Sequence, residues 1–166
     1  GPTCGRTLAE FGADVIKIDS PHVKKVLRHT DINRAKRSIL LDLKTPEGLQ
    51  IFWRLIDQAD VLLQNFRTGI AEKLGIGYEA VRARRPDIVY GSMNTYGQSG
   101  PFRERPGHEG LGQAVTGMTA RLGDHKPAAG PFPGNDYGTG LMACYGVALA
   151  LLHKRRTGQG QFVDSA

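Results

Sequence analysis

The sequence predicts an α/β domain, a parallel sheet covered by helices on both sides. Short apolar runs with strand texture alternate along the chain with segments of helical spacing. Such alternation feeds parallel strands through crossovers rather than hairpins. With 166 residues, 40% of them hydrophobic and 23% charged, the chain is large enough to bury one core as a single domain.

Pro2 suits the first position of a helix, and Leu8 and Phe11 continue it at helical spacing until Gly12. Asp14 to Asp19 alternates polar and apolar residues, as a strand does. Ser20 to Arg34, with Pro21 and scattered charge, reads as a surface loop. Ser38 to Leu43 is a second strand. Thr45-Pro46-Glu47 then gives a capping hydroxyl, a proline at the first position and an acid in the first turn. The helix it opens runs to about Gln58 and buries Leu49, Phe52, Trp53 and Ile56. Asp60 to Gln64 is a third strand, Gly69 to Leu74 and Tyr78 to Arg84 are short helices, and Ile88 to Met93 is a fourth strand.

From Gly97 to Asn135 glycine and proline become frequent, and only Glu109 to about Leu122 looks helical. A long irregular stretch of this kind suggests a site-forming insertion. A slim helix rich in glycine and alanine follows over 137–153. His153-Lys154-Arg155-Arg156 at its end complement the helix dipole. Gly158-Gln159-Gly160 turns into a final strand at Phe162. Ligands of such sheets bind beyond the carboxyl ends of the strands. The loops there hold Asp19, Lys44, Asn65-Phe66-Arg67 and Asn94-Thr95-Tyr96.

Several function classes find no support. There is no GxGxxG after a strand, no Walker loop, no G-x-S-x-G elbow and no metal-ligand spacing. No basic–aromatic interleaving suggests a nucleic-acid partner. The longest uncharged run, Tyr137 to Leu152, is 16 residues, short of the roughly 20 that span a bilayer. Two cysteines without a framework, and no leader-like start, suggest a reducing, cytoplasmic setting. The first residue is Gly1 and the last strand stops at Ala166, so the chain reads as an internal piece of a longer protein.

Net charge is +6, which suits phosphate-bearing partners or simply marks solvated faces. Basic clusters lie at Lys24-Lys25, Arg28, Arg34, Lys36-Arg37, Arg82, Arg84-Arg85 and Lys154-Arg155-Arg156. Asp136, in Gly134-Asn135-Asp136-Tyr137-Gly138-Thr139-Gly140, reads either as the cap of the long helix or as an ionised carboxylate beside an anionic substrate. His108-Glu109 reads as a general acid–base pair or as a helix start. Asn65-Phe66-Arg67 is a phosphate contact or a strand-to-helix turn, and Lys36-Arg37 a phosphate pair or plain surface.

Six segments in order resemble a known family. They are Gly12–Asp19, Lys36–Gly48, Ala59–Gly69, Tyr96–Pro101, Asn135–Gly140 and Arg155–Gln161. The series is similar to the family III CoA-transferases, which include α-methylacyl-CoA racemases. The resemblance implies a Rossmann-like large domain, of which residues 1–166 would be the N-terminal part. Its preceding strand, its C-terminal remainder and the small domain would be absent. It implies coenzyme A or acyl-CoA and a carboxylic acid as substrates, no metal, and an interlocked homodimer. It implies Asp136 as the nucleophile, passing through a mixed anhydride to an aspartyl-CoA thioester, with N–H donors supplied by the local glycines. CoA contacts would fall on Leu41, Asp42, Leu43, Lys44, Asn65, Phe66, Arg67, Lys73, Gly107, His108 and Glu109. Gly107-His108-Glu109 stands where racemases carry Gly-His-Asp, which implies an alternative α-proton transfer between His108 and Asp136. The Asn-Asp-Tyr-Gly-Thr-Gly version around Asp136 looks more like the transferases.

Overall fold

A computed structural model describes residues 1–23 and 29–166. Lys24, Lys25 and Arg28, and the middle of the loop expected over 20–34, lie outside the described residues. Five strands are described: β1 (Ile16–Asp19), β2 (Arg37–Leu40), β3 (Val61–Gln64), β4 (Val89–Met93) and β5 (Phe162–Ser165). Every pairing is parallel, as expected for strands fed by helical crossovers. The strands do not form one ladder. Among the described residues, β1 pairs with β2, while β3, β4 and β5 form a three-stranded ladder with β4 in the centre.

Eight helices are described: α1 (Pro2–Glu10), α2 (His29–Ile32), α3 (Pro46–Ile56), α4 (Ile70–Lys73), α5 (Tyr78–Arg84), α6 (Glu109–Val115), α7 (Met118–Leu122) and α8 (Gly134–Thr157). All five residues of β4 are buried, the pattern of a strand covered on both faces. Its alternating side chains serve two cores. Tyr90 packs with Phe52, Ile56, Ala71, Ile76 and Val81 on one side. Val89 and Met93 meet Cys4, Ala143, Val147 and Ala150 of α1 and α8 on the other. The β1–β2 pair is less covered, with Leu40 67% exposed.

Several boundaries differ from the sequence expectation for local reasons. β2 ends early because Asp42 takes over the backbone: its Oδ1 accepts from the Lys44 N–H at 3.0 Å and its carbonyl from the Thr45 N–H at 3.1 Å. Thr45 caps α3 as expected, its Oγ1 accepting from the Gly48 N–H at 3.1 Å. The helix expected over 109–122 is split in two by Gly117, which takes the left-handed conformation at φ 78°. Part of the expected loop over 20–34 is the short helix α2. It is held through Asp31, which accepts from Arg6 at 2.9 Å and from the Tyr137 hydroxyl. The long helix expected over 137–153 runs further at both ends. It starts at Gly134 and stops at the left-handed Gly158, with Lys154, Arg155 and Arg156 in its last turn.

Candidate active site

The carboxyl ends of β3, β4 and β5 converge with the first turns of α1 and α8 on a cleft of about 820 Å³. That volume falls within the usual range for small-molecule and cofactor sites. Each element delivers side chains at its end. β3 runs into Asn65 and Arg67, β4 into Asn94, Thr95 and Tyr96, and α1 presents Pro2 and Thr3. The irregular stretch after β4 adds Arg103, Arg105, Gly107, His108 and Glu109, and α8 adds Asn135, Asp136, Tyr137 and Thr139.

Asp136 is an exposed residue in the first turn of α8, not its cap: Pro133 holds the cap position. The carboxylate that meets the N-terminus of α8 belongs to Glu109. Its Oε2 accepts from the Asp136 N–H at 2.6 Å and its Oε1 from the Asn135 N–H at 3.3 Å. The Gly134 and Tyr137 N–H groups donate to the Phe132 and Pro133 carbonyls. All four leading N–H groups of the helix therefore have acceptors within the chain. The expectation that this glycine-rich turn offers its N–H groups to an anion is corrected on that ground.

Tyr137 is fixed by its neighbours. Its ring stacks on Phe132 with centroids 5.0 Å apart, and the Arg6 guanidinium lies 5.3 Å over it. The Tyr137 hydroxyl, with Arg6 and Arg34 beside it, holds the Asp31 carboxyl below the usual carboxylate range. Arg105, also in the lining, lies 4.4 Å over the Phe102 ring, which meets Tyr96 edge-on at 5.8 Å. Among the described residues, the Asn94 and Asn135 Nδ2 atoms are buried without an acceptor.

Of the residues singled out from sequence, the cleft gathers Asn65, Arg67, Gly107, His108, Glu109 and Asp136. Leu41, Asp42, Leu43, Lys44, Phe66 and Lys73 do not line it. Leu41 is 6% exposed, and Asp42 meets His22 at 2.8 Å and caps the turn to α3. Lys44 and Lys73 are exposed on the surface. Lys36 is no surface phosphate ligand, because its Nζ donates to the Pro2 carbonyl at 2.8 Å. Burial lowers its affinity for a proton. Arg37 pairs with Asp14 instead. Sequence reasoning missed Arg103 and Arg105. The signal was two arginines inside the glycine- and proline-rich insertion that follows a strand end. Among the described residues, no cluster of His, Cys, Asp or Glu is suited to a metal ion, and no helix is long and apolar enough to cross a membrane.

The parallel strands open at their carboxyl ends on a cleft lined by Arg67, Arg103, Arg105 and Asp136, the place where α/β sheets bind ligands. The model of CoA-transferase family III matches residues 1–166, and the chain belongs to that family. It is 39% identical over 183 residues to the β subunit of succinyl-CoA–L-malate CoA-transferase from Chloroflexus aurantiacus, covering 99% of this chain and 45% of the relative. It is 38% identical to the α-methylacyl-CoA racemase of Homo sapiens, covering 99% and 44% of the two chains. A crystal structure of a CAIB/BAIF family protein from Brucella suis superposes with a TM-score of 0.91 at 34% identity, covering 99% of this chain and 48% of that one. The chain thus spans about half the length of these relatives.

Proposed function

We propose that the chain is the N-terminal, CoA-binding and catalytic part of the large domain of an acyl-CoA:carboxylate CoA-transferase, with Asp136 as the nucleophile. The observation that carries this reading is the position of Asp136. It is exposed, at the start of α8, in the cleft where the strand ends bring Asn65, Arg67 and Asn94 and the irregular stretch after β4 brings Arg103 and Arg105. Three guanidinium groups suit a polyanionic thioester and a carboxylate acceptor by charge.

The chemistry is a sequence of acyl exchanges on one carboxylate. An Asp136 oxygen attacks the donor thioester carbonyl, the C–S bond breaks, and CoA leaves as thiolate. The thiolate then attacks the aspartyl carbonyl of the mixed anhydride and releases the donor acid, leaving an aspartyl-CoA thioester. The acceptor carboxylate attacks that thioester, forming a second anhydride and freeing the thiolate. Attack of the thiolate on the acceptor carbonyl yields the new acyl-CoA and restores Asp136. No proton is gained or lost overall. Anionic intermediates need donors. Because the leading N–H groups of α8 are engaged, the Asn94 and Asn135 amides and Arg67 are the candidates within the cleft. Lys44 and Lys73, outside the cleft, are assigned to the distal phosphates, with Leu41, Asp42, Leu43 and Phe66 around the nucleotide. An interlocked homodimer of the longer protein is part of the same proposal.

Incubation of the full-length protein with acyl-CoA should leave a hydroxylamine-cleavable adduct on Asp136, and Asp136→Ala should form none. Turnover without any adduct refutes the transferase reading. One observation favours a second reading: His108 lines the cleft together with Asp136, and racemases stand among the relatives. It predicts exchange of the α-hydrogen with deuterated water, needing both residues and no acceptor acid.

A further inference from the structure

We propose that Glu109 is the positioning residue for Asp136, setting the nucleophile from its backbone side rather than binding the cofactor or relaying a proton. The inference rests on the reading of Asp136 as the reacting carboxylate. Glu109 is the first residue of α6, and its carboxylate reaches the N–H groups in the first turn of α8. Negative charge is stabilised there by the dipole of the long helix α8.

Both carboxylate oxygens are in use. Oε2 takes the Asp136 N–H at 2.6 Å, while Oε1 takes the Asn135 N–H at 3.3 Å and the Gln113 side-chain amide at 2.7 Å. Gln113 is itself only 1% exposed. Its carbonyl oxygen accepts from the Gly130 N–H at 2.8 Å. A continuous set of bonds therefore runs from the irregular stretch before α8, through Gln113 and Glu109, to the peptide nitrogen of Asp136.

This arrangement has two consequences. The peptide of Asp136 is fixed relative to Glu109, and so to His108 beside it, which also lines the cleft. In addition, N–H groups that would otherwise draw an incoming anion onto the helix end are already occupied by Glu109. The substrate carboxylate or thioester is left to the side chains of the cleft, opposite the Asp136 carboxylate. A Gln side chain of the same shape cannot reproduce this. It offers one oxygen and one amide donor, so either the Asp136 N–H or the Gln113 amide faces another donor.

The test compares wild type, Glu109→Gln and Glu109→Asp in the full-length protein. It measures acyl-CoA affinity by calorimetry and the single-turnover rate of adduct formation on Asp136 at saturating acyl-CoA. Displacement of a reacting group by about 1 Å costs on the order of 100-fold. Glu109→Gln should slow adduct formation about 10- to 100-fold while acyl-CoA affinity changes by less than about two-fold. Glu109→Asp keeps the charge but is one methylene short of both N–H groups, and should fall between. Adduct formation at the wild-type rate in Glu109→Gln overturns the inference and leaves the transferase reading intact. Parallel loss of affinity and rate in both variants also overturns it, because Glu109 would then be a ligand or a general structural element. Absence of the adduct in wild type overturns the transferase reading and the inference with it. Should Glu109→Gln fail to fold, Glu109→Asp decides by the same comparison.

Discussion

Two glycines in one helix should respond to alanine with opposite signs. Gly140 lies on the face of α8 that packs against α1. A Cβ placed there would stand 2.5 Å from the Thr3 Cβ and 3.2 Å from the Cys4 nitrogen. Carbon atoms in ordinary contact are about 3.5–4.0 Å apart, so the helices must part by about 1 Å. Thr3 is 5% and Cys4 0% exposed, which leaves little room to yield. Overpacking of this kind costs about 1–3 kcal/mol, and alanine in place of glycine returns about 0.5–1 kcal/mol in a helix. The net expectation for Gly140→Ala is a loss of roughly 1–2 kcal/mol. Because Pro2 and Thr3 line the cleft, acyl-CoA affinity should fall as well. At Gly138 a Cβ would have no neighbour within 4 Å, so Gly138→Ala should stabilise by about 0.5–1 kcal/mol. Urea midpoints of the full-length variants measure both. Shifts of the same sign, or a stabilised Gly140→Ala, refute the argument that backbone approach between α1 and α8 selects glycine at 140.

Lys154 donates to Asp60 at 2.9 Å and lies 2.9 Å from Asp87. Its replacement by methionine should cost roughly 1 kcal/mol at neutral pH, less at high salt. Arg85 first, and Lys154 second, hold the Asp87 carboxyl well below its ordinary range. A depressed folded value means that Asp87 contributes stability above the unfolded value of about 3.9 and loses it as pH falls toward the folded one. Lys154→Met should therefore flatten the acid limb of the stability profile, and an unchanged limb in a pH series of urea melts would contradict this. Burial pushes the Cys4 thiol up to about 11, so native protein at about pH 8, near the ordinary thiol range, should leave Cys4 unlabelled by iodoacetamide until it unfolds. Labelling at the rate of the denatured chain, read by mass spectrometry, would refute its burial.

Much of the fold was legible because it depends on local pattern. The apolar runs of β3 and β4, the Thr45-Pro46-Glu47 start of α3 and the basic last turn of α8 are all where short-range chemistry puts them. The misplacements arise where distant groups decide. α2 forms where a loop was expected, and its Asp31 finds Arg6 and Tyr137, the latter 106 residues away along the chain. The parallel strands expected from alternation are present, and among the described residues they pair as β1–β2 and β3–β4–β5, a choice of neighbours that periodicity does not encode. Within the candidate site, Asn65, Arg67, His108 and Asp136 were visible as polar residues at strand ends or among glycines. Arg103 and Arg105 were hidden in a stretch with no periodicity to place them.

Asp136 and Glu109 mark the boundary between the two sources of information. Sequence alone determined that a carboxylate stands among glycines at the start of a long helix, and that a second acid opens a helix near residue 109. From 27 residues away, it could not determine which acid the helix N-terminus receives. That choice was made by the packing of α6 against α8, which brings the Glu109 carboxylate to the N–H groups and leaves Asp136 exposed at the cleft. Hydrogen bonds of this kind follow distance and direction in the folded chain, and local spacing encodes neither.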